Sequence, residues 1–419
     1  MSVNAATTAP ATILPPTAAP QTVAQMLNAA AEALGAMGLK PPRLEVDALV
    51  DGAAKASGYA PPPAGRYLEP LRVLLDSAQA STTLNALGQR MLAHALHMRL
   101  KNHFAIAGWL AEHPAIEDEP IERPVFIVSL PRTGTTMLHR LLSVPSHSRA
   151  LHTWEMDHPV PVPQAALAPS RGQKAAAGVW SLHQMCPDLK HIHAVGSHAP
   201  EECLHLMANA LTSALFTYFY DLPGYIDYMR TVAWEPVYRA HRRQLQLLQA
   251  GQPQRRWVLK APAHLMGLDA LLRVYPDALI VQTHRDPTSI IASEASLCLS
   301  IRRAFHSETN LHRLGQERFS VLADWIDRGM AARQNHPDAS FIDIHYRDLV
   351  SDPMPWATTI FERVGQTLAD DDRATMQAHL DRHRQHRYGR HRYSLEQFGL
   401  REASVRTRFA DYATRHLPT

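Results

Sequence analysis

The 419-residue chain has little cysteine, no marked excess of charge of either sign and no long uninterrupted apolar run. Its three cysteines, Cys186, Cys203 and Cys298, are too few and too scattered to frame a disulfide-stapled fold or to supply a zinc site. That scarcity fits a reducing compartment, so we expect a cytoplasmic protein that works without a metal. Forty-two Lys and Arg against 39 Asp and Glu leave a formal charge of +3, and nothing in that balance demands a nucleic-acid partner or an anionic surface. The first twenty residues, rich in Ala, Thr and Pro, lack the basic start and sustained apolar core of a secretory signal. The best candidate for a membrane span, Cys203 to Tyr220, is only eighteen residues long and is broken by His205, Asn209, Thr212 and Ser213. It is marginal for a hydrocarbon core of about 30 Å, and it reads as a buried core helix. What the chain does have is 46% hydrophobic residues, enough to bury a large core, and 25 histidines.

The organisation follows from periodicity. Residues 1–20 read as a disordered leader, and 21–115 as a helical N-terminal extension, with apolar residues three and four apart and a break at Pro61, Pro62 and Pro63. Its expected role is packing or self-association, so a homo-oligomer through these helices is one possible partner arrangement. From residue 120 onward the pattern becomes strand, loop, helix: RPVFIVSL before TTMLHRLLSV, RRWVLKAP before HLMGLDALLRVYP, ALIVQTHRDP before TSIIASEASL, and SFIDIHYRD before PMPWATTIFERVG. Such alternation implies right-handed β-α-β units and an α/β domain over 120–419, a parallel sheet flanked by helices, with a helical insertion over about 151–250.

Three strand ends carry cations. The loop Pro131-Arg132-Thr133-Gly134-Thr135-Thr136 follows the first strand and opens a helix. There a glycine lets successive amides turn toward one anion, the helix start offers unpaired N–H groups, and Arg132 adds fixed charge. It lacks the Gly-Lys-Ser/Thr ending of a nucleotide-triphosphatase loop, which disfavours magnesium triphosphate. A later strand ends at His284 and is followed by Arg285, with Ser293 eight residues on, about two helical turns away. Lys260 ends a third strand, where an ammonium meets charge developing on a transferred group.

The combination VSLPRTGTTMLHRLL, RWVLKAPAHL and THRDPTSIIAS resembles the PAPS-dependent sulfotransferases, specifically a bacterial branch similar to the tyrosylprotein and carbohydrate enzymes. The likeness runs from about residue 124 onward and implies the P-loop-like fold of that family. It implies transfer of a sulfuryl group from PAPS to an acceptor hydroxyl. The 5′-phosphosulfate would lie on Arg132, Thr133, Gly134, Thr135 and Thr136, and the 3′-phosphate on Arg285 and Ser293. Lys260 would act on the sulfuryl group, and Tyr346 in HYRDLV would touch the donor. For the base the resemblance points first to Glu155 in LHTWEMDHP. The runner-up is the cluster His198, Glu201 and Glu202 in GSHAPEECL, where a carboxylate at a helix start is able to orient a histidine. His391 or Arg392, within a segment carrying five Arg and three His between Arg382 and Arg392, would close over the 3′-phosphate.

Two other readings stand beside this one. A P-loop kinase using Mg-ATP requires a loop Lys before the Ser/Thr and a strand-end Asp. An inactive nucleotide-binding scaffold is at odds with Arg132, Lys260, Arg285 and Ser293 all being present. The acceptor is expected to be a small hydrophobic or aromatic alcohol, with glycan and tyrosine hydroxyls open, in a pocket to which Trp154, Phe216, Tyr218 and Tyr225 are candidates.

Overall fold

Five strands form one parallel sheet in the order β2-β3-β1-β4-β5: β1 Val125–Ser129, β2 Ser148–Arg149, β3 Arg256–Lys260, β4 Leu279–His284 and β5 Ser340–His345. The computed structural model describes residues 23–39, 44–63, 65–161, 170–189, 196–382 and 393–417, so the expected leader over 1–20 lies outside the described residues. β1 and β4 are buried throughout, as a central pair covered on both faces requires. Their side chains alternate between two cores. Val125 and Ile127 join Val258, Leu279 and Val281 against the helices Thr135–Leu142 and Pro353–Arg363. Phe126 and Val128 face the larger core, with Trp257, Leu259 and Ile280. Only β2 is absent from the strand pattern of the sequence, because two residues are too short a run to show a period.

Register sets where the loops emerge. Ile127 lies opposite Lys260, Ser129 opposite Thr283, and His284 opposite His345. The carboxyl ends of β1, β3, β4 and β5 therefore share one edge, from which Arg132, Lys260, Arg285 and Tyr346 depart.

The helices Val23–Ala36, Val46–Ser57, Leu68–Gln79 and Ala86–Glu112 pack into the larger core together with the sheet. Asn85 ties the last of them down: its side chain caps the Gly88 amide at 2.7 Å, and its own amide donates to the Phe305 carbonyl at 3.0 Å. Phe305 ends the helix Thr288–Phe305, which carries Ser293 near its start. The stretch from Cys203 to Tyr220 is two short helices, Leu204–Asn209 and Leu215–Phe219, parted by Leu211 at φ 56°. Its polar groups are bonded internally: Asn209 donates to the Met156 carbonyl at 3.1 Å and to Gln244 at 2.9 Å. No helix among the described residues is long and apolar enough to cross a membrane.

A Cβ on Gly88 would stand 2.2 Å from the Phe305 carbonyl oxygen, whereas one on Gly35 would meet nothing within 4 Å. We expect Gly88→Ala to destabilise by about 1–3 kcal/mol through overpacking. Gly35→Ala should be neutral or stabilising by up to about 1 kcal/mol. Urea unfolding of the two variants measures the difference, and equal midpoints would mean that the N-terminal helices are not seated on Phe305.

Candidate functional site

The loop after β1 owes its shape to two left-handed residues. Arg132 has φ 65°, uncommon for a residue with a Cβ, and Gly134 has φ 84°. Between them the Thr133 side chain turns inward: it donates to the Leu130 carbonyl at 2.8 Å and accepts from the Thr283 hydroxyl at 2.7 Å. Ser129 Oγ lies 2.8 Å from that same Thr283 hydroxyl, so a chain of hydroxyls clamps the loop to the ends of β1 and β4. Thr133 thus supports the loop with its side chain, leaving backbone amides as its means of meeting an anion. A Cβ on Gly134 would sit 3.1 Å from Leu349 and 3.5 Å from the Tyr346 ring, so packing as well as φ calls for glycine. The helix Thr135–Leu142 then starts with amides that have no intrahelical partner.

Four residues singled out in the sequence touch one another beside this loop. Arg285 donates to the Arg132 carbonyl at 2.7 Å, and its guanidinium lies 4.2 Å above the centre of the Tyr346 ring. Arg132 Nε donates to Ser293 Oγ at 3.0 Å. The strand end behind Arg285 is firmly held. His284 contacts Asp343 at 2.7 Å and the Tyr412 hydroxyl at 3.1 Å, and its ring stacks parallel on His416 with centres 4.6 Å apart. Asp343 also receives Arg333, so His284, Asp343 and His416 dock the C-terminal helix Ala410–His416 against β4.

Lys260 reaches the same place from β3. It is 2% exposed, its ammonium is ion-paired with Glu202, and it lies 3.5 Å from the Thr136 hydroxyl. Glu202 is brought there by its backbone: the Glu201 amide donates to the Leu151 carbonyl and the Cys203 amide to the Lys260 carbonyl, each at 2.9 Å. This short segment straps across the strand ends.

The other base candidates sit elsewhere. Glu155 is buried and fully engaged, accepting from Arg149 at 2.7 Å and from the His152 amide at 3.0 Å as the capping carboxylate of the helix Thr153–Asp157. Burial pushes its pKa up, but bonding and charge from His152 and Arg149 outweigh this and hold it below the ordinary value. That makes Glu155 a poor proton acceptor. His198 is exposed and packs near Trp154, with ring centres 6.4 Å apart, against the start of the helix Arg171–Met185. His391 and Arg392 lie outside the described residues.

Arg132, Gly134, Thr136, Glu202, Arg285 and Tyr346 form the polar end of a cavity of about 1090 Å³. Its remaining walls are largely apolar and come from the N-terminal helices, from Val179 and Leu182, and from Leu297, Ile301 and Phe305. Of the aromatic candidates, Phe216 and Tyr218 line it. Tyr225 is buried instead, its hydroxyl donating to the Leu211 carbonyl at 2.9 Å, and Trp154 lies beneath Arg171.

The sequence reading missed Glu294, which follows Ser293 and belongs to the cavity wall. It is fully buried, neither carboxylate oxygen has a partner in hydrogen-bond geometry, and burial raises its pKa; the Tyr218 hydroxyl is near but does not close a bond of normal geometry. A lone carboxylate in the buried stripe of TSIIASEAS was the available signal. Above the ordinary value of 4.5 the unfolded chain loses this proton while the fold keeps it, so stability falls as pH rises until the folded pKa is passed. Glu294→Gln removes that slope. We expect the gain in urea midpoints to grow as pH rises above 4.5; a pH-independent difference would contradict a raised Glu294 pKa.

Comparison with known proteins shows the family and the fold. The description "Sulfotransferase family" matches residues 124–370. The omega-hydroxy-beta-dihydromenaquinone-9 sulfotransferases Stf3 of Mycobacterium bovis and Mycobacterium tuberculosis are 25% identical over 262 residues, which span 58% of this chain and 62% of theirs, less than two thirds of their length. The crystal structure of sulfotransferase STF1 from Mycobacterium tuberculosis superposes with a TM-score of 0.76 at 33% identity, covering 88% of this chain and 98% of that one. Sulfotransferase STF9 from Mycobacterium avium, at 22% identity and TM-score 0.77 over 90% and 98%, shares the fold. With the family match spanning more than half of its length, and a solved relative at 33% identity over most of it, this chain belongs to the sulfotransferase family.

Proposed function

We propose that this protein transfers a sulfuryl group from PAPS to the hydroxyl of an apolar acceptor, releasing PAP. The observation that carries this reading is the Lys260–Glu202 pair beside Thr136, at the point where an anion-binding loop meets a largely apolar cavity. The left-handed Arg132, the clamped loop and the amides that open the helix Thr135–Leu142 suit a phosphosulfate, and Arg285 with Ser293 suits a second phosphate. Ser293 and Arg132 are already bonded, so the two anion subsites are mechanically one unit.

PAPS supplies a sulfuryl group already activated on its 5′-phosphate. The chain's own residues do the rest. Arg132 and the loop amides hold the bridging and equatorial charge, and Lys260 neutralises negative charge as the bond to the leaving oxygen breaks. Glu202 takes the proton of the attacking hydroxyl, with Lys260 orienting its carboxylate. Glu155 is left as the capping residue that holds the neighbouring helix. The mainly apolar cavity favours an acceptor with an apolar body over a glycan or a peptide tyrosine, and the omega-hydroxy-beta-dihydromenaquinone-9 named for the Stf3 relatives points the same way. All three cysteines are buried free thiols, in keeping with a cytoplasmic site of action.

Two experiments test this. In a thermal-shift assay PAP should stabilise the protein and Mg-ATP should not, and Arg285→Ala should weaken PAP binding by about 10- to 100-fold, the worth of a charge-assisted hydrogen bond. Unchanged PAP affinity by calorimetry would remove Arg285 from the donor site. In single-turnover transfer from labelled PAPS to a panel of long-chain and aromatic alcohols, Glu202→Gln should slow the chemical step by about 10²–10⁴ while PAP affinity holds. Glu155→Gln should lower the melting temperature with little change in rate; the reverse pattern would return the base role to Glu155.

A further inference from the structure

Among the described residues, the large hydrophobic side chains left exposed are Val23, Met26, Leu27, Leu34, Met37, Leu39 and Trp180. They are not scattered. Six belong to the helix Val23–Ala36 and the three residues after it, and the seventh to the helix Arg171–Met185, which packs against it. Singly exposed apolar residues are ordinary in any protein, but a cluster of them on neighbouring helices marks an interaction surface. Met37 is 69% exposed, Trp180 64% and Met26 59%.

The same two helices are walls of the cavity. Leu27, Ala30 and Leu34 line it from the first, Val179 and Leu182 from the second. On the first helix, Val23, Met26, Leu27, Ala30, Leu34 and Met37 recur at three- and four-residue spacing, one continuous stripe that is partly cavity wall and partly open surface. Between Val23 and Ala36 the only charged residue is Glu32, so the stripe carries no charge pattern of the kind that selects a protein partner. Lys174 is exposed on the helix that carries Trp180, and past the first helix the sequence continues with Lys40 and Arg43. An apolar stripe with a tryptophan and flanking Lys and Arg is the composition of an interfacial helix on an anionic bilayer.

We propose that this rim docks on a phospholipid surface and that the acceptor alcohol passes from that surface along the stripe into the cavity. The proposal rests on reading the cavity as the acceptor site. A second copy of the chain seated on the rim would close the entrance that an apolar acceptor uses, whereas a lipid surface covers the same side chains and delivers the acceptor through them.

The test is flotation of the full chain with vesicles of phosphatidylcholine and phosphatidylglycerol, 3:1, with PAP binding by calorimetry measured in parallel. Met26, Met37 and Trp180 lie outside the cavity wall, so the triple variant Met26→Asp, Met37→Asp, Trp180→Asp leaves the donor site alone. We expect the vesicle-bound fraction to fall by about fivefold or more in the variant, with PAP affinity within about twofold of the parent. Failure of the parent protein to float, or equal flotation of the variant, overturns the proposal. So does a parent dimer in sedimentation velocity that the variant converts to monomer while neither binds vesicles. Loss of PAP binding by the parent would instead count against the sulfotransfer reading and leave the vesicle result to be judged by itself.

Discussion

The site depends on the hydrogen-bonded register of β1 between β3 and β4. Opposing charges recruited from residues 132, 202, 260 and 285, with the Ser293 hydroxyl, meet only because Ile127 pairs with Lys260 and Ser129 with Thr283, which aligns three carboxyl ends at one edge. A shift of one residue in either ladder would turn Lys260 or Thr283 to the opposite face of the sheet and into an apolar core. The hydroxyl chain Ser129, Thr283, Thr133 fixes the same alignment a second time, from the strands to the loop. Those hydroxyls are buried and bonded only to each other and to backbone, so the loop's left-handed Arg132 is held by a rigid base.

That alignment explains which parts were legible in the sequence. Strand, loop and helix signals at 125–136, 256–262 and 279–293 are local, and Arg132, Lys260 and Arg285 stand at strand ends with Ser293 two helical turns on, so these four could be assembled without coordinates, whereas Tyr346 came only from the family resemblance. Which of Glu155 and Glu202 stands beside Lys260 could not be read that way, because it turns on tertiary partners. Glu155 is three residues from His152 and six from Arg149, and both claim it. Glu202 gains its position from Leu151 and Lys260, distant in the chain, through backbone bonds that leave no mark on side-chain pattern. Glu294 was hidden for a similar reason: a carboxylate in a helical stripe is read as solvated until packing shows that it is buried.

Three of the histidines so prominent in the composition serve as buried polar links in the core. His139 bonds to the Val258 carbonyl at 3.0 Å, His241 to the Tyr275 hydroxyl at 2.8 Å and His264 to the Tyr238 hydroxyl at 2.9 Å, all deep in the core around β1 and β3. Burial lowers the pKa of His139 to about 3, with Lys260 adding to the effect, and burial lowers that of His241 to about 3. Neutral imidazoles of this kind are compact polar linkers that pair with a carbonyl or phenol where an apolar side chain would orphan it. His139 also lies on the first helix after the loop, so its bond to β3 couples that helix to the strand bearing Lys260.

Lys260 and Glu202 form a largely buried ion pair at the strand ends. A buried ion pair recovers its desolvation cost only with good geometry and further bonds, and losing one partner costs about 3–5 kcal/mol. Here the strap over residues 201–203 holds the carboxylate in place by backbone bonds, so the pair does not rely on side-chain attraction alone. An anion arriving at Thr136 competes for the same ammonium, since Lys260 already stands 3.5 Å from that hydroxyl. Each bond that Lys260 made to such an anion would come at the expense of its hold on Glu202. The pair thus joins two distant segments of the chain at the polar end of a cavity whose other walls are largely apolar.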